Sequence, residues 1–206
     1  IQIYNLLEIA LKDIHLIFFI EMNKVSNVQF PHLYKEEKDL KFVMYVDDFL
    51  STESLLSLQK TITGITKYSV AKSPNGDVFG FRYFFEEFDP SLLKAIKEFF
   101  FPTRDLVPVS ISANIRSQNN VNEKPLFHVV NHKGYVANFL LYVKGESLIN
   151  NGTGFLYGQD LSAHIGFVEN RALFFNGTKI PHNDLQCFGN SSMRYTLNIF
   201  YKENEN

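Results

Sequence analysis

From Val107 onward, short apolar segments recur roughly every ten residues with polar turns between them, and none has the three-and-four spacing of an amphipathic helix. Eight segments carry the pattern, at 107 to 116, 125 to 131, 135 to 144, 153 to 157, 162 to 168, 171 to 175, 179 to 184 and 192 to 201. Strands this short can bury their apolar faces only against one another. The second half of the chain is therefore expected to be a β-sandwich or barrel.

The first half mixes signals. Ile3, Leu6, Leu7, Ala10, Leu11 and Ile14 suggest an amphipathic helix within residues 1 to 22, and 42 to 46 reads as a strand. Asp47-Asp48-Phe49-Leu50 reads as a turn, with Ser51 or Thr52 capping a helix to about residue 62 and Glu53 in its first turn. Segments 68 to 72 and 78 to 85 flank Ser73-Pro74-Asn75-Gly76-Asp77, a hairpin signature. Asp89-Pro90 supplies an N-cap and a first helical residue for a helix ending near Phe100. No linker divides the chain. Residues 1–206 are expected to form a single domain, with 1–104 a helix-containing support that carries the first strands and 105–206 the core that carries the site. The polar stretch from Ser117 to Lys124, whose only carboxylate is Glu123, reads as a connection, with a lid as the alternative.

A chain of 206 residues with 45% hydrophobic content can bury one sizeable core. Its net charge of -2, with scattered Lys and Arg, gives no field for phosphate backbones, so nucleic acid is not the expected partner. A lone cysteine, Cys187, excludes an internal disulfide and thiolate-built metal sites, and points to a reducing, cytoplasmic setting. The sequons at Asn151, Asn176 and Asn190 read as tight turns. The apolar run from Ile14 to Ile20 is far shorter than the roughly 20 residues of a membrane span.

The chemistry-bearing residues cluster late. His128-Val129-Val130-Asn131 is followed by Tyr142 at the end of an apolar strand, then Gly152-Thr153-Gly154, Pro181-His182 and Arg194-Tyr195-Thr196. Two neutral imidazoles with a carboxylate can occupy one face of Fe(II) and leave positions open. A guanidinium gives a carboxylate a planar two-bond grip, and Arg194 and Thr196 alternate onto one strand face. Taken alone, His15, His32 and His164 lack such context and read as structural.

These motifs, over residues 127 to 201, resemble the 2-oxoglutarate- and Fe(II)-dependent dioxygenases, and within them the prolyl-hydroxylase-like branch. The family's His-x-Asp motif falls on His128-Val129-Val130, its distal histidine on His182, its cosubstrate arginine on Arg194 twelve residues later, and its Gly-rich turn on Gly152-Thr153-Gly154-Phe155. Tyr45-Val46-Asp47-Asp48-Phe49-Leu50 is a weaker echo of the entry strand and turn. The resemblance implies a mainly β chain with flanking helices around a double-stranded β-helix (jelly-roll) core. It implies iron held by His128 and His182, and 2-oxoglutarate anchored by Arg194 and Thr196 with a contribution from Tyr142. The implied reaction uses O2 to convert 2-oxoglutarate to succinate and CO2 while hydroxylating a peptide or small-molecule substrate. On this reading Arg194→Ala weakens cosubstrate binding and leaves folding nearly intact.

Val130 departs from that pattern, because it stands where the family has its iron-binding aspartate and cannot ligate a metal. Four explanations stand. The site can be of the halogenating kind, with His132-Lys133-Gly134 as a shifted register. A substitute ligand can come from Asp184, Asn131 or His132, Asp184 otherwise reading as a solvated turn residue. Water can complete a two-histidine site. Lastly, the chain can be a catalytically degenerate binding or sensor protein on the same scaffold. A cupin-like isomerase or sugar-binding jelly roll is a further class, one that has no need of Arg194.

Overall fold

The computed structural model describes residues 26–28, 43–72, 76, 78–117, 127–130, 134–157, 160–186 and 193–204. The helix expected within residues 1 to 22, together with His15, His32, Glu123, Asn131, His132, Lys133, Cys187 and Asn190, lies outside them.

Two antiparallel sheets carry most of the described chain. The larger has eight strands in the order β1 (Ser26–Val28), β2 (Val43–Val46), β9 (Ala172–Phe175), β6 (Tyr135–Lys144), β11 (Met193–Glu203), β5 (Leu106–Ser117), β4 (Val78–Phe84) and β3 (Ser69–Lys72). The smaller has β10 (His182–Gln186), β7 (Leu148–Tyr157) and β8 (Asp160–Phe167) in that order. Strands from the first half thus share a sheet with β5, β6, β9 and β11. Two helices, α1 (Thr52–Thr63) and α2 (Pro90–Phe100), complete the described elements.

Strand β6 shows why the layers stack as they do. Its sequence is apolar at nearly every position, which suits a strand with cover on both faces. Ala137, Phe139, Leu141 and Val143 face the helices, in one cluster with Ile62 of α1 and Ile96 and Phe100 of α2. Leu140 and Tyr142 face the other way, in a second cluster with Phe155, Ile165 and Phe167 of the small sheet. Functional side chains have to lie along this second, inner layer, because the first is sealed by helices. Phe49 anchors the helical side, its ring 5.7 Å from Phe100 and 5.5 Å from Phe139.

Local chemistry sets the helix starts. Ser51 caps α1 by accepting from Ser54 N at 3.2 Å, and Asp89 caps α2 by accepting from Ser91 N at 2.8 Å, with Pro90 in the first turn. The turn before α1 is fastened across the molecule by Asn170, which adopts φ 67°. Asn170 Oδ1 accepts from Leu50 N at 2.9 Å, and its Nδ2 donates to Leu50 O at 2.7 Å. Asn176 is equally internal, since its side chain accepts from Thr178 N and from the Thr178 hydroxyl, so this sequon is a turn. No helix among the described residues is long and apolar enough to cross a membrane.

Of the strand expected at 125 to 131, residues 127 to 130 are described. Among its described residues only His128 pairs, as a single bridge to His182. Residue 184, read from sequence as a turn or a stand-in ligand, lies within β10.

Candidate active site

Backbone pairing brings the two histidines together. His128 N donates to His182 O at 3.1 Å and His182 N donates to His128 O at 3.0 Å, a reciprocal antiparallel pair. Residues directly opposite in such a pair project to the same side. The imidazoles accordingly lie adjacent, with ring centres 4.8 Å apart and planes inclined by 45°.

His182 is prepared for one role on each nitrogen. Its Nδ1 lies 2.9 Å from Ile180 O, a geometry in which Nδ1–H donates and the lone pair stays on Nε2. The ring is 8% exposed and sits beside Phe175 and Phe155, at 4.8 Å and 6.4 Å between centres. Burial, with the neighbouring His128, pushes its pKa down to about 4, so it is neutral near pH 7. A neutral, oriented imidazole is the form a metal requires. Two imidazoles on adjacent positions of one metal have ring centres roughly 4.5 Å apart when each metal–nitrogen distance is about 2.1 Å. The spacing of His128 and His182 therefore fits two ligand positions. The third position finds no such match: among the described residues no group of three His, Cys, Asp or Glu side chains is placed to hold a metal. Val130 has no ligating side-chain atom, and its backbone N donates to Gly177 O at 2.8 Å.

The arginine expected to anchor a dicarboxylate is buried, at 2% exposure, on the inner face of β11. Directly opposite it in the ladder stands a second arginine, Arg116 of β5. Two facing guanidiniums repel unless an anion lies between them. Asp184 supplies that anion: Oδ1 is 3.0 Å from Arg194 Nη2 and Oδ2 is 3.0 Å from Arg116 Nε. Burial alone would raise the Asp184 carboxyl, but Arg194 and Arg116 outweigh it and hold the group below the usual carboxylate range. A third guanidinium follows on β4, where Arg82 Nε donates to Asn114 Oδ1 at 2.6 Å. Burial, then the nearby Arg116, lowers the Arg82 pKa against a smaller opposing effect of Asp184.

Arg194 is the buried half of this ion pair, so Arg194→Ala, expected to leave folding nearly intact, also removes one of the two cations on Asp184 while Arg116 stays at 3.0 Å.

Thr196 and Tyr142 lie on the same face, cross-strand neighbours in the β11–β6 ladder. The Tyr142 hydroxyl is 2.8 Å from Thr153 Oγ1 on the opposite sheet and donates more weakly to Ile165 O at 3.3 Å. Burial raises its pKa to about 12, so the phenol keeps its proton. Its ring stacks on Phe167 at 4.5 Å, and the Arg194 guanidinium lies over the same Phe167 ring at 5.3 Å. Gly152 makes this crossing possible, because at φ 154° a Cβ there would lie 2.0 Å from Ile165 O.

Sequence reading missed Arg116, Arg82 and Asn114. One signal was present for the first and last of these. In β5 polar residues fall at 110, 112, 114 and 116 between Val109, Ile111, Ala113 and Ile115, a strict alternation that gives a polar row on one face. His164, read as structural, lies on β8 opposite Gly154.

No protein-family model and no curated protein matches the chain. Solved structures do. A prolyl hydroxylase from Trichoplax adhaerens, in complex with a hypoxia inducible factor oxygen degradation domain peptide fragment, superposes with TM-score 0.62 at 10% identity, covering 78% of this chain and 83% of that one. HygX from Streptomyces hygroscopicus, with nickel and 2-oxoglutarate bound, gives 0.59 at 10% identity over 83% and 88%. A prolyl-4-hydroxylase from Pseudomonas putida gives 0.53 at 10% identity over 80% and 94%. Such identities speak to architecture, and on that evidence the chain has the double-stranded β-helix fold of prolyl hydroxylases and other 2-oxoglutarate- and Fe(II)-dependent oxygenases.

Proposed function

We propose that the chain is a 2-oxoglutarate- and Fe(II)-dependent oxygenase of hydroxylase type with an atypical metal site, acting on a peptide or small-molecule substrate. The observation that carries this reading is the reciprocal His128–His182 pair, with one imidazole buried, neutral and oriented by Ile180 O. His128 and His182 would hold the iron. Bound iron would supply the oxidative chemistry, in which O2 is consumed, one oxygen atom going to succinate as 2-oxoglutarate loses CO2 and the other to the hydroxylated substrate carbon.

The chain's own residues do the rest. Nδ1 of His182 stays bonded to Ile180 O and so keeps the ring from turning. Phe155 and Phe175 shield that ring from water. Arg194 and Thr196 would present a guanidinium and a hydroxyl on one face for a carboxylate, and Tyr142, protonated, would have to turn its hydroxyl from Thr153 and Ile165 O to join them. Further support comes from the solved relatives, whose bound groups include 2-oxoglutarate with nickel in one case and a peptide fragment in another.

Metal titration followed by a succinate assay tests the reading. The wild-type chain should take up Fe(II), or Co(II) as a spectroscopic stand-in, and release succinate from 2-oxoglutarate, while His128→Ala and His182→Ala should lose both. A folded wild-type chain that takes up no metal refutes the reading.

A second reading, a degenerate binding or sensor protein on this scaffold, is favoured by Val130 and by the Asp184 carboxylate already seated on Arg194. Its signature is dicarboxylate binding without metal uptake or turnover.

A further inference from the structure

The carboxylate at position 184 changes what the inner arginines can hold. Asp184 projects from β10 on the same strand face as His182, two residues away, and its oxygens are divided between two strands of the facing sheet, one to Arg116 and one to Arg194. Asp184 is 28% exposed, Arg116 21% and Arg194 2%, so the carboxylate and Arg116 reach solvent while Arg194 does not. A dicarboxylate that reaches Arg194 has to come close to an anion already in contact with it.

From this we infer that Asp184 is an internal occupant of the anion pocket and the residue that sets its ligand selectivity. Its carboxylate competes with the distal carboxylate of any dicarboxylate for Arg194, and that ligand binds only as Asp184 gives way. The inference rests on the cosubstrate reading of Arg194, and it reverses the usual consequence of altering a pocket residue. Neutralising Asp184 improves binding, because the mutual repulsion of two carboxylates is removed while both guanidiniums remain.

Tests use succinate, which lacks the keto acid group that would chelate a metal, so that binding reports the arginine end of the pocket. Asp184→Asn and Asp184→Thr keep a strand-compatible shape without charge, and either one that folds provides the reading. Calorimetric titration of the metal-free full chain should show both neutral variants binding succinate at least about ten-fold more tightly than wild type. Because neutralisation leaves Arg116 and Arg194 facing each other, both variants should melt below wild type without ligand. They should then gain more in melting temperature than wild type as succinate is added. Equal or weaker succinate affinity in a folded neutral variant, or no binding by it at all, overturns the inference. Metal uptake separates this outcome from failure of the oxygenase reading. A chain that binds no metal yet shows the succinate gain refutes the oxygenase reading and supports Asp184 as the occupant. A chain that binds metal without the gain does the reverse.

Discussion

Replacing Arg194 by Met tests how much of the fold depends on the inner ion pair. Met keeps most of the stem's length and apolar contact, so the change isolates the guanidinium. Breaking a buried ion pair from one side costs on the order of 3 to 5 kcal/mol. Here Asp184 keeps Arg116 at 3.0 Å and is 28% exposed, and both facts lower the penalty. Relief of the Arg116–Arg194 repulsion lowers it further, while losing the guanidinium from the Phe167 face adds about 0.5 to 1 kcal/mol. The expected cost is about 2 kcal/mol. With a urea slope of roughly 2 kcal/mol/M, that moves the unfolding midpoint down by about 1 M. The assay is urea unfolding of wild type, Arg194→Met, Asp184→Leu and the double variant. Since the two side chains touch, the cycle should return a coupling of about 1.5 kcal/mol or more. A coupling below about 0.5 kcal/mol, the level shown by residues that do not interact, refutes the ion-pair account.

Asn170→Ala removes both bonds to Leu50 and places a Cβ residue without a polar side chain at φ 67°, so it should destabilise by about 2 to 3 kcal/mol. Asn170→Gly should recover roughly 1 kcal/mol of that by relieving the backbone alone, as read by thermal melting. Gly152→Ala should cost about 2 kcal/mol or more and speed amide exchange along β7 and β8, because its Cβ would collide with Ile165 O. In the metal-free protein, His182 has a native pKa of about 4 against 6.5 for the unfolded chain. Between those values the unfolded state binds the extra proton, so stability is fully present above about pH 6.5 and lost as pH falls toward 4, by up to about 3 kcal/mol. Urea midpoints across pH 7.5 to 4 should therefore fall more steeply for wild type than for His182→Gln; parallel slopes would contradict the assignment.

Local signals carried much of the fold. The caps Ser51 and Asp89 announced α1 and α2, and the apolar run at 135 to 144 matched β6 at both ends, because such features depend on a few neighbouring residues. The alternation after Val107 likewise implied a two-layer β structure, since strands of that length must cover each other. Sequence could not reveal the partner of Arg194. Asp184 belongs to β10 and Arg116 to β5, and only the facing of two sheets brings them within bonding distance. The segment 179 to 184 read as a strand, but Asp184 at its end also read as a solvated turn residue, because no neighbouring residue marks its carboxylate for an ion pair. The two histidines were legible as candidates, but their adjacency depends on a single bridge that no local pattern encodes.

That bridge has a consequence for how such a scaffold can change over generations. The imidazoles are held side by side through amide and carbonyl groups, which every amino acid except proline provides alike. Chemistry at positions 128 and 182 can therefore be rewritten without dismantling the framework that presents it. A chain can carry a residue as inert as the valine at 130 beside that frame and still present positions 128 and 182 side by side.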